Sequence, residues 1–194
     1  MRASTIALAG AIGTAVLTAT FPPEANITSG GAAGIAMGRV PDDLIARRLT
    51  IPVLGIKAED LRPQFFDARV QHGHEAIDIM APRGQPVVAV EDGRIAKLFL
   101  SVPGGLTVYQ FDPTETYAYY YAHLDHYADG LAEGRAVTRG EILGYVGSTG
   151  NAVQPHLHFA IFLLGPEKHW WNGEALDPYP ALARVRENTA GTAP

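Results

Sequence analysis

Three separated segments of this chain carry imidazoles and a carboxylate: His74-Glu75-Ala76-Ile77-Asp78, Tyr121-Ala122-His123-Leu124 and His156-Leu157-His158-Phe159. That residue set suits a metal-hydrolase centre. A catalytic zinc takes three protein ligands from His, Asp or Glu and keeps a fourth position for water, so two His and one Asp suffice. Two His then remain for proton transfer. On a strand, side chains at i and i+2 share a face, so His156 and His158 project together while Leu157 and Phe159 turn into a core. A lone His is more often structural than a ligand, but seven His all lie between residues 72 and 169. Two His and a carboxylate also form the facial triad of iron oxygenases; the His-x-Asp spacing usual for those enzymes is absent.

The elements that must position these residues are short apolar runs punctuated by Gly and Pro. From Leu49 onward they fall at 85–90, 94–100, 106–111, 116–123, 142–146 and 156–163. This spacing predicts a mainly β, antiparallel domain rather than βαβ units. A short helix is expected over Pro41 to Arg48, with Asp42 near its start and Arg47 and Arg48 near its end; Ala128 to Ala136 hints at a helical turn that Gly130 and Gly134 weaken. Strict alternation through Tyr117 to His123 puts Tyr119 and Tyr121 on the face of His123, which makes Tyr121 a candidate to flank a groove, with ordinary cross-strand packing as the alternative role, above all for Tyr119 and Tyr120. Tyr120, Ala122 and Leu124 fall on the other face. Trp170 and Trp171 are expected to cap a core rather than stack on a ligand. The glycines at 140, 144, 147 and 150 fit no phosphate-loop spacing and are expected in turns.

Bulk properties narrow the possibilities. The 194 residues have room for one domain plus a tail. With 15 Lys+Arg against 20 Asp+Glu, the net charge of -5 gives no electrostatic reason for a nucleic-acid or anionic-membrane partner. No Cys is present, so any metal site must use His and carboxylate. After Met1-Arg2, residues Ala3 to Pro23 carry no charge and are rich in Ala, Ile, Leu and Val, as in a secretory signal, although Glu24 soon follows. Residues 1–20 are therefore expected to be a signal peptide or N-terminal anchor. Residues 21–48, rich in Pro, Gly, Ser and Ala at first, are expected to be a flexible linker containing the short helix.

The motifs His74-x-Ala-x-Asp78, Tyr121-Ala122-His123-Leu124, Gly147-Ser148-Thr149-Gly150 and His156-Leu157-His158-Phe159, in this order over roughly residues 50–180, closely resemble the lysostaphin-type (LytM-like) zinc endopeptidases. The resemblance implies a β fold of the duplicated hybrid motif type over 49–182, with a tail at 183–194. It implies one zinc held by His74, Asp78 and His158, with His123 and His156 as catalytic histidines. It leaves no ligand role for His72, His126 or His169. It further implies an exported, cell-envelope enzyme that cleaves peptides of peptidoglycan. A non-catalytic activator module of the same fold is the alternative, although such modules typically lack ligands that are all present here.

One position departs from the pattern: Ala76 stands where the family usually has Gly. Four extended residues span about 13 Å, too far for His74 and Asp78 to meet at one ion, so the backbone must bend between them. Ala76 permits that bend at negative φ or at a modest cost in strain.

The N-terminal reading is testable by export. A reporter fused after Gly38 should reach the cell envelope and fail to do so once residues 1–20 are deleted; equal retention of both fusions in the cytosol would contradict it.

Overall fold

A computed structural model describes residues 40–67 and 74–183. The signal or anchor at 1–20, most of the linker, His72 and the tail from 184 lie outside the described residues. The chain runs through helix α1 (Asp42–Ala46), a 3₁₀ turn (Ala58–Asp60) and strands β1 (Ile77–Met80), β2 (Pro86–Val88), β3 (Gly93–Ser101) and β4 (Gly105–Phe111). Next come β5 (Tyr117–Tyr127), β6 (Ala136–Val137), β7 (Ile142–Val146), β8 (His156–Leu164), β9 (Gly173–Leu176) and helix α2 (Pro178–Ala183).

One antiparallel sheet joins them in the order β1-β8-β5-β4-β3-β6, with β9 beside β8 and β2 beside β7. The mainly β, antiparallel architecture expected from the alternating runs is what forms. Strand β5 is its spine. On one edge it pairs with β4. On the other it pairs with β8 through Tyr117 to Ala122 and then with β7 through Leu124 to Tyr127. The partner changes at His123.

One face of the sheet packs the main core. Tyr119, Tyr121, Leu124, Leu157, Phe159 and Ile161 are all fully buried there, each burial worth about 1.5–3 kcal/mol by area. The core also takes in Val40 and Leu44, upstream of residue 49. The expected short helix exists as α1. The segment from Ala128 to Ala136 is not helical, however: it forms turns, with Gly130 at φ 72 and Gly134 at φ 81, a conformation no α-helix accepts. Strands β1, β6 and β9, each four residues or fewer, went unread in the sequence because runs that short carry no measurable period. Trp170 packs against Phe99 and Tyr109, with ring centroids 5.3 and 4.8 Å away, so it caps the opposite face as expected.

Buried tyrosines require partners for their hydroxyls, and these partners tie α1 to the sheet. Tyr117 donates to Asp43 at 2.9 Å, Tyr119 to Glu91, and Arg47 Nη1 bridges Glu91 at 3.0 Å and Asp112 at 2.8 Å. Asp112 also accepts the main-chain N–H of Thr116 and Tyr117 at 2.6 and 2.7 Å, which shapes the β4–β5 turn. Burial alone would raise the Asp112 carboxyl; bonds from Thr114, Tyr117 and Arg47 outweigh it and hold the group below its ordinary value.

Arg47→Met should therefore destabilise the protein by about 2 kcal/mol or more, because two acids lose their shared cation. Asp112 is depressed in the fold, so its contribution is present above the unfolded value of about 3.9 and is lost as pH falls through the folded value. Urea unfolding should show the gap between wild type and Arg47→Met narrowing in that acid range, and a pH-independent gap would contradict the assignment.

Candidate metal centre

The register of β8 between β1 and β5 sets the site. Asp78 lies opposite His158, and His158 opposite Ala122, so these share one face. Ile77, Phe159 and Tyr121 share the other and are buried in the core. By strict alternation His123 would follow Tyr121 into the core. Instead it adopts φ 62 and its N–H donates to the Gly104 carbonyl at 2.8 Å. The left-handed residue reverses the parity of β5, sending His123 to the site and Leu124 into the core. Tyr121 therefore does not flank a groove: its hydroxyl donates to Gln110 Oε1 at 2.7 Å and accepts the Val90 N–H at 3.1 Å. Tyr120, placed on the far side by alternation, sits edge-on to His158 with ring centroids 6.1 Å apart.

His74 arrives by a bend. The left-handed residue is Glu75, at φ 53, and Ala76 stays at negative φ, buried. The bend brings His74 Nε2 to 2.9 Å from Asp78 Oδ1; His158 Nδ1 lies 2.9 Å from the same oxygen, and the two nitrogens are 3.3 Å apart. His74 Nδ1 faces the Gln64 carbonyl at 3.3 Å. A carbonyl only accepts, so Nδ1 carries the hydrogen and the neutral ring offers its Nε2 lone pair. Ligand atoms about 2.0–2.1 Å from a tetrahedral ion lie about 3.3 Å from one another. The donor set thus fits one small divalent cation, and these three form the only such group among the described residues.

Charge agrees with that fit. Burial opposes ionisation of Asp78, but when His158 and His74 are protonated their hydrogen bonds and charge hold its carboxyl far below the usual range; a bound cation would take the place of those protons. A permanent anion therefore faces two imidazoles.

His123 and His156 stand beside this group. Their ring centroids are 4.8 Å apart, His123 is 5.7 Å from His158, and His156 Nε2 is 3.6 Å from Asp78 Oδ1. Each also has Nδ1 against a main-chain carbonyl, His123 on Thr149 at 2.9 Å and His156 on Gln154 at 2.7 Å. With the hydrogen on Nδ1, the remaining nitrogen, Nε2, is the one turned toward the site in each ring. Burial, helped by the neighbouring His158 and His156, pushes His123 down to about 4, although its bond to Thr149 opposes the shift. It is neutral at pH 7.

Thr149 is held in turn: its Oγ1 donates to the Leu124 carbonyl at 2.7 Å and accepts the Leu106 N–H at 3.0 Å. The β3–β4 turn lies so close that a Cβ on Gly105, itself at φ 63, would strike Thr149. The close approach of two turns explains the glycine at 150 as well, since a Cβ there would meet the main chain of residues 103–105. His126 pairs with Asp125 at 2.9 Å and His169 stacks on Trp171, and neither belongs to the cluster.

An antiparallel β fold with a His/Asp/His donor set and two carbonyl-oriented imidazoles defines a metal-dependent hydrolase class. Residues 72–178 match the model of peptidase family M23, and the chain belongs to that family. It is 33% identical over 131 residues to an L-Ala–D-Glu endopeptidase of Bacillus subtilis, covering 62% of this chain and 39% of that protein. It is 32% identical over 123 residues to a peptidoglycan DD-endopeptidase of Vibrio cholerae, covering 58% of this chain and 28% of that one. The structure resembles the catalytic domain of lysostaphin from Staphylococcus simulans with a TM-score of 0.53 and 26% identity over 63% of this chain and 92% of that domain. The chain thus spans well under half the length of the two relatives.

The sequence reading missed Thr149 and Gln154, which act through carbonyls that no residue type reveals, and Gln64, which precedes every motif. The bend it required between His74 and Asp78 is present, with Ala76 at negative φ as it allowed; the residue that turns left-handed lies one position earlier. Glu75, not Ala76, takes positive φ, which costs a non-Gly residue about 1 kcal/mol. Glu75→Gly should therefore be neutral to stabilising by up to about 1 kcal/mol, while Ala76→Gly should destabilise by about 0.5–1 kcal/mol through chain entropy. Thermal unfolding of both variants that reversed this order would place the bend at 76 after all.

Proposed function

We propose that the chain is a zinc-dependent endopeptidase acting on the peptides of peptidoglycan, in the stem or cross-bridge. The observation that carries this reading is the convergence of His74 Nε2, Asp78 Oδ1 and His158 Nδ1 within 3.3 Å beside two further imidazoles. Zinc bound by those three atoms supplies Lewis acidity toward a carbonyl and an acidified water. The chain does the rest. His123 and His156 act as a pair whose Nε2 atoms accept one proton from the attacking water and return it to the departing amine. The ring that takes the proton becomes an imidazolium with N–H at both nitrogens, its Nδ1–H still held by the carbonyl of Thr149 or Gln154, and that carbonyl contact keeps each neutral ring in the tautomer with Nε2 open. No glutamate base is needed. Support for the substrate comes from the relatives, whose names specify an L-Ala–D-Glu bond and a peptidoglycan DD bond. Export to the cell envelope follows from such a substrate and from the uncharged stretch at Ala3 to Pro23.

Purified protein loaded with zinc should release new peptide termini from isolated peptidoglycan sacculi, leave the glycan uncut and stop when a chelator removes the metal. His74→Ala, Asp78→Ala and His158→Ala should lose most of the zinc. His123→Ala and His156→Ala should keep it and lose about 10²- to 10⁴-fold in rate. Full zinc occupancy in the first three variants, or release of cut glycan, would overturn the reading.

A further inference from the structure

We infer that Gln64 is a positioning residue that presets the metal centre, acting on two of its three donors from outside the residues matched by the family model. The inference rests on the proposed zinc site and concerns how this chain builds it.

Gln64 lies in a turn in which the Asp67 N–H donates to the Gln64 carbonyl at 3.0 Å. This turn docks on the segment carrying His74. The His74 N–H donates to the Asp67 carbonyl and the Glu75 N–H to the Phe65 carbonyl, each at 3.0 Å. Within that frame Gln64 makes two contacts of its own. Its carbonyl accepts from His74 Nδ1 at 3.3 Å, and its side-chain Oε1 accepts the main-chain N–H of Asp78 at 2.7 Å.

These contacts act at different levers. The first sets the tautomer that frees His74 Nε2 for a metal. The second fixes the backbone from which the Asp78 carboxylate projects, at the second residue of strand β1 and three residues beyond the left-handed Glu75. The oxygen of the amide is the atom that faces Asp78, because only an acceptor can meet an N–H. Residues 72–178 match the family model, so the turn bearing Gln64 supplies this order from upstream. Without the side-chain bond, Asp78 keeps its chemistry and loses its fixed approach to His74. Metal affinity is therefore the property that should change.

The experiment compares zinc dissociation constants by competition with a chromophoric chelator for wild type, Gln64→Leu and Gln64→Glu. Thermal unfolding of the metal-free forms and the visible spectrum of the cobalt-substituted forms are recorded alongside. Gln64→Leu is expected to weaken zinc about 10- to 100-fold, the usual scale for a group that orients a ligand. Its cobalt spectrum should shift. Gln64→Glu keeps an acceptor oxygen on the Asp78 N–H and should restore affinity to within about threefold of wild type. Gln64→Leu with wild-type affinity and spectrum overturns the inference and leaves the proposed function intact. Loss of affinity in both variants in proportion to loss of metal-free stability assigns Gln64 a purely structural role and also overturns it. A wild-type protein that takes up no zinc overturns both the inference and the proposed function.

Discussion

The site depends on one backbone constraint, the exchange of partners by β5 at His123. A strand that stays paired on both edges keeps a strict alternation of side chains. Here β8 ends its pairing at Ala122 and β7 begins at Leu124, so the residue between is released from the ladder on that edge. Gly104 still receives its N–H from the β4 side. Release on one edge and restraint on the other let His123 take positive φ, and the chain crosses the sheet plane by one residue. From that single step follow the burial of Leu124, the exposure of an imidazole to the donor cluster and the need for Thr149 to stand behind it.

Strain of this kind persists only where the surroundings over-determine it. At His123 the ring is held by the Thr149 carbonyl and the main chain by Gly104. At Glu75 the flanking N–H groups are held by Phe65 and Asp67. Glu75 and His123, two of the five left-handed non-Gly residues among those described, thus lie beside or within the proposed chemistry and are fastened by main-chain bonds. The tyrosine-rich half of β5 is organised differently. Its hydroxyls reach two acids and an amide across the core, and Arg47, at the end of α1, joins one of those acids, Glu91, to Asp112. The face that carries the donor cluster rests on a core that is itself polar at defined points.

The cluster was legible in the sequence because residue types mark it. His74, Asp78, His123, His156 and His158 converge as their spacing and their resemblance to a known family implied. The longer strands were legible for a similar reason, since Val, Ile, Tyr and Phe at period two leave few alternatives. What escaped was everything decided by φ. No side-chain pattern announces that Glu75 rather than Ala76 turns left-handed, or that His123 breaks the alternation of Tyr119 and Tyr121, because neighbouring strands choose the residue that yields. The helical turn hinted at over Ala128 to Ala136 failed on the same ground: Gly130 and Gly134 serve turns that their context demands.

Three of the five clustered imidazoles and carboxylates owe their orientation to main-chain oxygens, those of Gln64, Thr149 and Gln154. A peptide oxygen is present whatever residue occupies the position. Point mutation can therefore exchange side chains in these loops without deleting the acceptors that hold the rings. The surroundings of the centre are free to drift toward new bonds or new rims while the protonation pattern of the centre is inherited unchanged. In evolutionary terms, the tautomers are encoded in the path of the backbone, and the letters that do not themselves shape that path, as Gly105, Gly150 and the side chains of Gln64 and Thr149 do, remain available for specificity.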